Sequence, residues 1–132
     1  MEFANGTSRP LAIDAEAEGT IGFVPMHFIP RTLRHHVTPL LSLYDRMLSF
    51  RCSAHEYWMM ATGATDFCLS AQLRPWDHVA GELIFREAGG YAAMLEDGAA
   101  YAPEMARGHL LCARGRRQWD RLRKDFAFLY EG

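Results

Sequence analysis

The chain has 132 residues, 49% of them hydrophobic and 23% charged, with a formal net charge of −2. That is the length of one domain, 1–132, with enough apolar residues for a substantial core. It excludes a long disordered tract, and it argues against the basic surface of a general nucleic-acid binder. No run of about 18 apolar residues offers a membrane span, and Met1-Glu2-Phe3-Ala4-Asn5-Gly6 has no basic-then-apolar leader, so a cytoplasmic chain is expected. The three cysteines, Cys52, Cys68 and Cys112, are widely spaced in largely apolar segments and read as buried free thiols.

In chain order, Glu2 to Arg9 reads as a lead-in loop and Leu11-Ala12-Ile13 as a short strand. Asp14, Glu16 and Glu18 would share one face if extended, and read as a solvated acidic turn before a strand. Thr20 to Met26 is a strand that Pro25 ends or confines to an edge. Phe28 to His36 is basic and bulky and reads as an exposed turn. The adjacent His35 and His36 cannot both face one metal on regular structure. Thr38-Pro39 supplies a helix start, with Leu40, Leu43, Tyr44, Met47 and Leu48 as the apolar face. A helix beginning near Arg31 and kinked at Pro39 is the alternative.

Ser49 to Ser53 reads as a short strand, and Ala54 to Thr62 as a helix stopped by Gly63. His55-Glu56 begins like a zinc-protease helix, but the second histidine would fall on Met59. Tyr57, Trp58, Met59 and Met60 read as core. Asp66 to Leu73 partly alternates as a strand. Tyr91 to Leu95 is a strand, Glu96-Asp97-Gly98 a tight turn, Ala99 to Gly108 a loop and His109 to Ala113 a last strand. A helix after Arg114 carries Trp119, Leu122 and Phe126 on one face. Its arginines are interleaved with Asp120 and Asp125 and read as a solvated face.

The most informative stretch is Arg74 to Gly90. Pro75 suits a first helical turn, Asp77 is favoured there by the helix dipole, and Gly89-Gly90 ends the helix. Trp76, Val79, Ala80, Leu83, Ile84 and Ala88 recur at helical spacing and are expected to be its buried face. His78, Glu82, Arg86 and Glu87 would take the wet side. A glycine in mid-helix costs about 1 kcal/mol against alanine, so Gly81 is expected to admit another backbone.

Trp76-Asp77, Ala80-Gly81 and Glu87-Ala88-Gly89-Gly90 together resemble the C-terminal signature of the inositol monophosphatase family. Asn5-Gly6 and Glu18-Gly19-Thr20-Ile21 resemble the beginning of that family's C-terminal domain, and His109 to Ala113 its last strand. The resemblance covers nearly the whole chain and about half of the family's usual length. It implies an α/β fold, a layered αβα domain with a mixed sheet, in keeping with the alternation of strands and helices.

The chemistry that the resemblance implies is Mg²⁺-assisted hydrolysis of small phosphate monoesters. Asp77 matches a metal ligand of the family. Cys52-Ser53-Ala54 stands for its Gly-Ser-Ala-Ala segment, whose backbone meets substrate. Ser70, seven residues before Asp77, stands where the family often has an acidic residue against sugar or inositol hydroxyls. The family's other carboxylates, a glutamate and the two aspartates of Asp-Pro-Ile/Leu-Asp-Gly-Thr, have no match beyond Glu18-Gly19-Thr20. No complete catalytic set is expected, and Mg²⁺ should bind weakly to one carboxylate.

Two functions follow. One is half of a phosphatase, requiring a separately encoded N-terminal half. The other is a non-catalytic domain that dimerises or binds a partner protein through the surface that meets the N-terminal domain in the family; the apolar run Tyr57-Trp58-Met59-Met60 and Trp76 on that surface favours the first. Neither nucleic acid nor membrane is an expected partner.

Overall fold

A computed structural model describes residues 11–131. The expected lead-in loop and Asn5-Gly6 lie outside the described residues. The elements are β1 (Ile21–Phe23), α1 (Thr38–Leu43), β2 (Arg46–Leu48), α2 (Ser53–Ala61), β3 (Phe67–Ser70), α3 (Pro75–Glu87), β4 (Tyr91–Met94), β5 (Leu110–Ala113), α4 (Arg116–Asp125) and α5 (Phe128–Glu131). Two 3-10 stretches, Met26–Phe28 and Arg31–His36, precede α1.

One five-stranded sheet has the order β2-β1-β3-β5-β4. β1 runs parallel to β2 and β3, whereas β5 is antiparallel to β3 and β4, so the sheet is mixed as expected. Alternating side chains feed two cores. Phe67 and Leu69 of β3 and Leu111 and Ala113 of β5 meet Leu40 of α1 and Trp119 and Leu122 of α4. Cys68, Leu110 and Cys112 point the other way, onto Tyr57 and Met60 of α2 and Phe85 of α3. Helices therefore cover both faces, giving the αβα layers.

A buried ion pair staples the sheet to the chain before it. Asp66 accepts the Ile21 amide at 2.9 Å and Arg114 Nε at 2.6 Å. Arg114 also donates to the Gly63 carbonyl at 2.9 Å, and Gln118 donates to the Gly19 carbonyl at 2.8 Å. Gly19 is required there, because a Cβ would stand 2.5 Å from the Asp66 carboxylate.

Several elements differ from the sequence reading. Leu11 to Ile13 is not a strand, although the Ile13 amide donates to Ala88 O at 2.9 Å. The helix expected through Leu48 stops at Leu43. Tyr44 turns extended and Arg46–Leu48 pairs with β1, leaving Leu43 69% exposed. Here sheet pairing outcompetes helical periodicity, which a strand next to a short helix can mimic. Residues 31–36 form 3-10 turns leading into α1 rather than one kinked α-helix. Ser49 to Ser53 is no strand: Arg51 has φ +55° and Ser53 begins α2. Cys68 and Cys112 are buried as expected, but Cys52 is exposed, because it precedes α2 outside either core.

The largest difference is in α3, whose boundaries agree with the sequence and whose faces are largely exchanged, although Arg86 and Glu87 are exposed as expected. His78 and Glu82 are each 3% exposed and Phe85 is fully buried, while Trp76 is 78% exposed and Val79, Leu83 and Ile84 point outward. Of the expected inner face only Ala88 is buried. The inward stripe is His78, Gly81, Glu82, Phe85 and Ala88, also at helical spacing. Its polar members are satisfied: Glu82 accepts from Arg86, and His78 bonds Tyr57 and Gln72. Gly81 does admit close approach, but of the Tyr57 ring rather than a backbone. A Cβ there would stand 2.4 Å from Tyr57 Cδ2. Trp58, expected in the core, is exposed on α2.

Candidate functional site

A cavity of about 230 Å³ opens where β3 ends and where α2 and α3 begin. Ser53 opens α2, Ser70 closes β3 and Asp77 lies in the first turn of α3, and all three line this cavity. Three residues remote in sequence are thus brought together by the fold. Ala54 follows Ser53 in the first turn of α2. Its side chain is not part of the wall, but its amide is among those that a helix start leaves without an intrahelical acceptor.

The wall also holds residues that sequence reasoning did not assign to a site: His27, Arg51, Glu56, Gln72, Arg74 and His78. The proline at 75 placed a helix start beside Arg74, which is the signal that could have drawn that residue in. Nothing local marks Arg51, whose place depends on its left-handed backbone.

His78 is fixed at both nitrogens. Nε2 lies 2.9 Å from the Gln72 carbonyl, which can only accept, so Nε2 carries the proton. Nδ1 therefore accepts from the Tyr57 hydroxyl, 2.9 Å away. Burial lowers the His78 pKa and raises that of Tyr57 well above its ordinary value. Both effects favour the neutral pair. His78 is thus a strut that ties the loop after β3 to α2, and it holds the first turn of α3 in place.

The carboxylates differ in availability. Glu56 Oε2 accepts the Phe50 amide at 3.1 Å, and burial raises its pKa. Asp77 makes no side-chain hydrogen bond or ion pair among the described residues. Magnesium prefers several hard oxygen ligands in octahedral geometry. Among the described residues no group of three or more His, Cys, Asp or Glu side chains could hold a metal ion. The donor set of the described residues therefore does not by itself fit a magnesium site.

Residues 12–126 match the profile of the inositol monophosphatase family. The chain belongs to the inositol monophosphatase family. Solved structures agree in fold. Staphylococcal IMPase-II matches with a TM-score of 0.75 at 20% identity, over 92% of this chain and 51% of that one. The inositol monophosphatase from Anabaena (Nostoc) sp. PCC 7120 matches at 0.72 and 20% identity, over 90% and 48%. An IMPase from Thermotoga maritima matches at 0.68 and 21% identity, over 93% and 46%. No curated protein matches in sequence. The chain thus spans about half the length of the family structures it resembles, and those structures share its layered α/β fold. No helix among the described residues is long and apolar enough to cross a membrane.

Proposed function

We propose that this inositol monophosphatase-family chain supplies one wall of a magnesium-dependent phosphomonoesterase site. Asp77 contributes one metal-ligating carboxylate, while Ser53, Ala54 and Ser70 face the substrate. The observation that carries this reading is the convergence of Asp77, Ser53 and Ser70 on one cavity. Magnesium, once held by additional carboxylates, would neutralise phosphate charge and activate water. What this chain does is place Asp77 through the helix start at Pro75 and the His78 strut. It also offers the hydroxyls of Ser53 and Ser70 and the first-turn amides of α2.

The substrate class is a small phosphate monoester. Staphylococcal IMPase-II has been solved with inositol monophosphate and with 2'-AMP. Ser70 stands where an acidic residue would meet inositol hydroxyls, which argues for a substrate other than inositol phosphate.

Among the described residues Asp77 is the cavity carboxylate without a side-chain partner, so residues 11–131 are expected to need carboxylates from outside this domain to hydrolyse phosphate esters. The outward face of α3 is the surface offered to the region that carries them. Trp76, Val79, Leu83 and Ile84 are exposed there at helical spacing, and Trp58 is exposed on α2. Exposed apolar side chains grouped on one helix face mark an interaction site. The same face supports a second reading, in which the chain is non-catalytic and acts by dimerising or by binding a partner protein.

The deciding experiment is calorimetric titration of Mg²⁺ with inorganic phosphate, wild type beside Asp77→Ala, together with a phosphatase assay of the pure chain. No magnesium-dependent hydrolysis is expected from the chain alone. Supplying an N-terminal half of the family as a second polypeptide is expected to restore it, with Asp77→Asn abolishing the gain. Hydrolysis by the pure chain that Asp77→Asn removes would overturn the requirement for a partner. Restored hydrolysis that survives Asp77→Asn would overturn the assignment of Asp77.

A further inference from the structure

Residues 49–52 carry the chain from β2 into α2, and their backbone decides how α2 begins. Arg51 has the sole positive φ of a non-glycine residue among those described, +55°. Such a conformation costs energy in a residue with a Cβ and persists where the surroundings enforce it. The Arg51 side chain supplies no such restraint through an ion pair among the described residues.

The restraint comes from Glu56. Its Oε2 accepts the Phe50 amide at 3.1 Å, and the Arg51 amide also faces the carboxylate. Burial raises the Glu56 pKa and these two amides draw it back down, so the ionised carboxylate and the turn stabilise each other. The backbone amide of Glu56 donates to Cys52 O at 3.0 Å. One residue thus grips the chain on both sides of the Arg51 bend, by side chain before it and by backbone after it. The Phe50 ring packs edge-on against Phe23 of β1, with 5.0 Å between centroids, which anchors the turn to the sheet.

Ser53 follows as the first residue of α2 and lines the cavity. No side chain caps this helix, so the direction of its first turn depends on the bend that precedes it. We infer that Glu56 is the positioning residue of this wall: it holds the left-handed turn at Arg51 and so sets Ser53 and the first-turn amides of α2 toward the substrate. This rests on the reading of Ser53 and Ala54 as substrate-facing. Glu56 lines the cavity too, and its rival role is that of a metal ligand. The amide on Oε2 favours positioning, since it engages an oxygen that a metal would need.

The test uses the metal-free chain in EDTA, read by backbone amide NMR and limited trypsin digestion. Glu56→Ala is expected to displace the Arg51, Ser53 and Ala54 amide resonances. Cleavage after Arg51 should quicken about tenfold, because proteolysis tracks the opened population and a charged hydrogen bond is lost. Glu56→Gln keeps a carbonyl oxygen for the same amides and should stay within about threefold of wild type. Glycine adopts the left-handed backbone without strain. Arg51→Gly in the Glu56→Ala background is therefore expected to return the Ser53 and Ala54 resonances toward their wild-type positions. Resonances of α4 report on the fold as a whole.

Ser53 and Ala54 amides that stay in place in Glu56→Ala, with cleavage after Arg51 unchanged, overturn the inference and leave the metal-ligand role. So does Glu56→Gln behaving like alanine, or a displacement that Arg51→Gly does not relieve. If Glu56→Ala does not fold, the double variant carries the test, and its failure to fold also overturns the inference. No metal and no turnover enter these measurements. Their failure leaves the magnesium reading of Asp77 standing, and failure of that reading leaves the turn measurements interpretable.

Discussion

The Tyr57 hydroxyl donates to His78 Nδ1 across 2.9 Å, joining α2 to α3 behind the cavity. Removing the hydroxyl leaves a buried ring nitrogen without a partner. Tyr57→Phe is therefore expected to lower unfolding free energy by about 1–3 kcal/mol, the cost of an unsatisfied buried polar atom. Urea denaturation measures it. A change too small to detect would mean that His78 finds water instead.

The same histidine sets a pH dependence. Its folded pKa lies below the ordinary 6.5 because burial disfavours the charged ring. The unfolded chain then binds more protons than the folded one, so stability is fully present above that value and declines as pH falls through it. Denaturation midpoints compared between about pH 7.5 and pH 5.5 should fall more steeply for wild type than for His78→Gln. Parallel slopes would show that other groups carry the acid sensitivity.

Gly81 poses two opposed effects. Alanine is the better helix former by about 1 kcal/mol, but its methyl would stand 2.4 Å from the Tyr57 ring. Overpacking a close contact costs about 1–3 kcal/mol. Tyr57 is held by His78 and cannot swing away freely, so the clash should win. Gly81→Ala is expected to lower the melting temperature, and an increase would show that the α2–α3 seam yields.

The Asp66–Arg114 pair has both side chains largely buried, at 9% and 12% exposure. Asp66 additionally holds the Ile21 amide at the start of β1. Removing one partner of a buried pair strands the other, which costs about 3–5 kcal/mol. Arg114→Met is expected to fall near the lower end, because Arg114 keeps some solvent contact. Thermal denaturation of Arg114→Met beside Arg116→Met, whose exposed pair with Asp120 should matter little, checks the contrast.

On α3, outward residues should be silent for folding and decisive for association. Ile84→Lys replaces a side chain that is 52% exposed, so stability should change by no more than about 0.5 kcal/mol. Phe85→Ala, one residue on and fully buried, should cost about 3–5 kcal/mol. If Ile84→Lys destabilises the monomer comparably, the assignment of faces is wrong. Sedimentation with and without a candidate partner then shows whether Ile84→Lys abolishes binding.

Much of this molecule was legible before any coordinates. Pro75, Asp77 and Gly89-Gly90 delimit α3 by local rules of backbone chemistry. The strand at Tyr91 and the helix carrying Trp119 and Leu122, with Phe126 at its C-cap, follow from periodicity of apolar residues. The Trp76 to Gly90 signature carried the family, which the match over residues 12–126 shows. Local rules failed where two elements compete for the same residues. Met47 and Leu48 suit a helix by spacing, yet β1 offered them a sheet edge.

Which way α3 faces could not be read from its own residues. Two stripes at helical spacing exist on it, and the more apolar one points outward. The inward choice is made by Tyr57, twenty-one residues from His78, whose ring needs the space at Gly81 and whose hydroxyl needs a ring nitrogen. The cavity is likewise a product of topology, since the ends of β3, α2 and α3 meet only once the sheet is assembled. Sequence alone determined the bounds of α3 and the family, and it singled out Asp77 as the residue to test. Tertiary structure decided what surrounds it, because long-range packing chooses among the faces that local periodicity leaves equal.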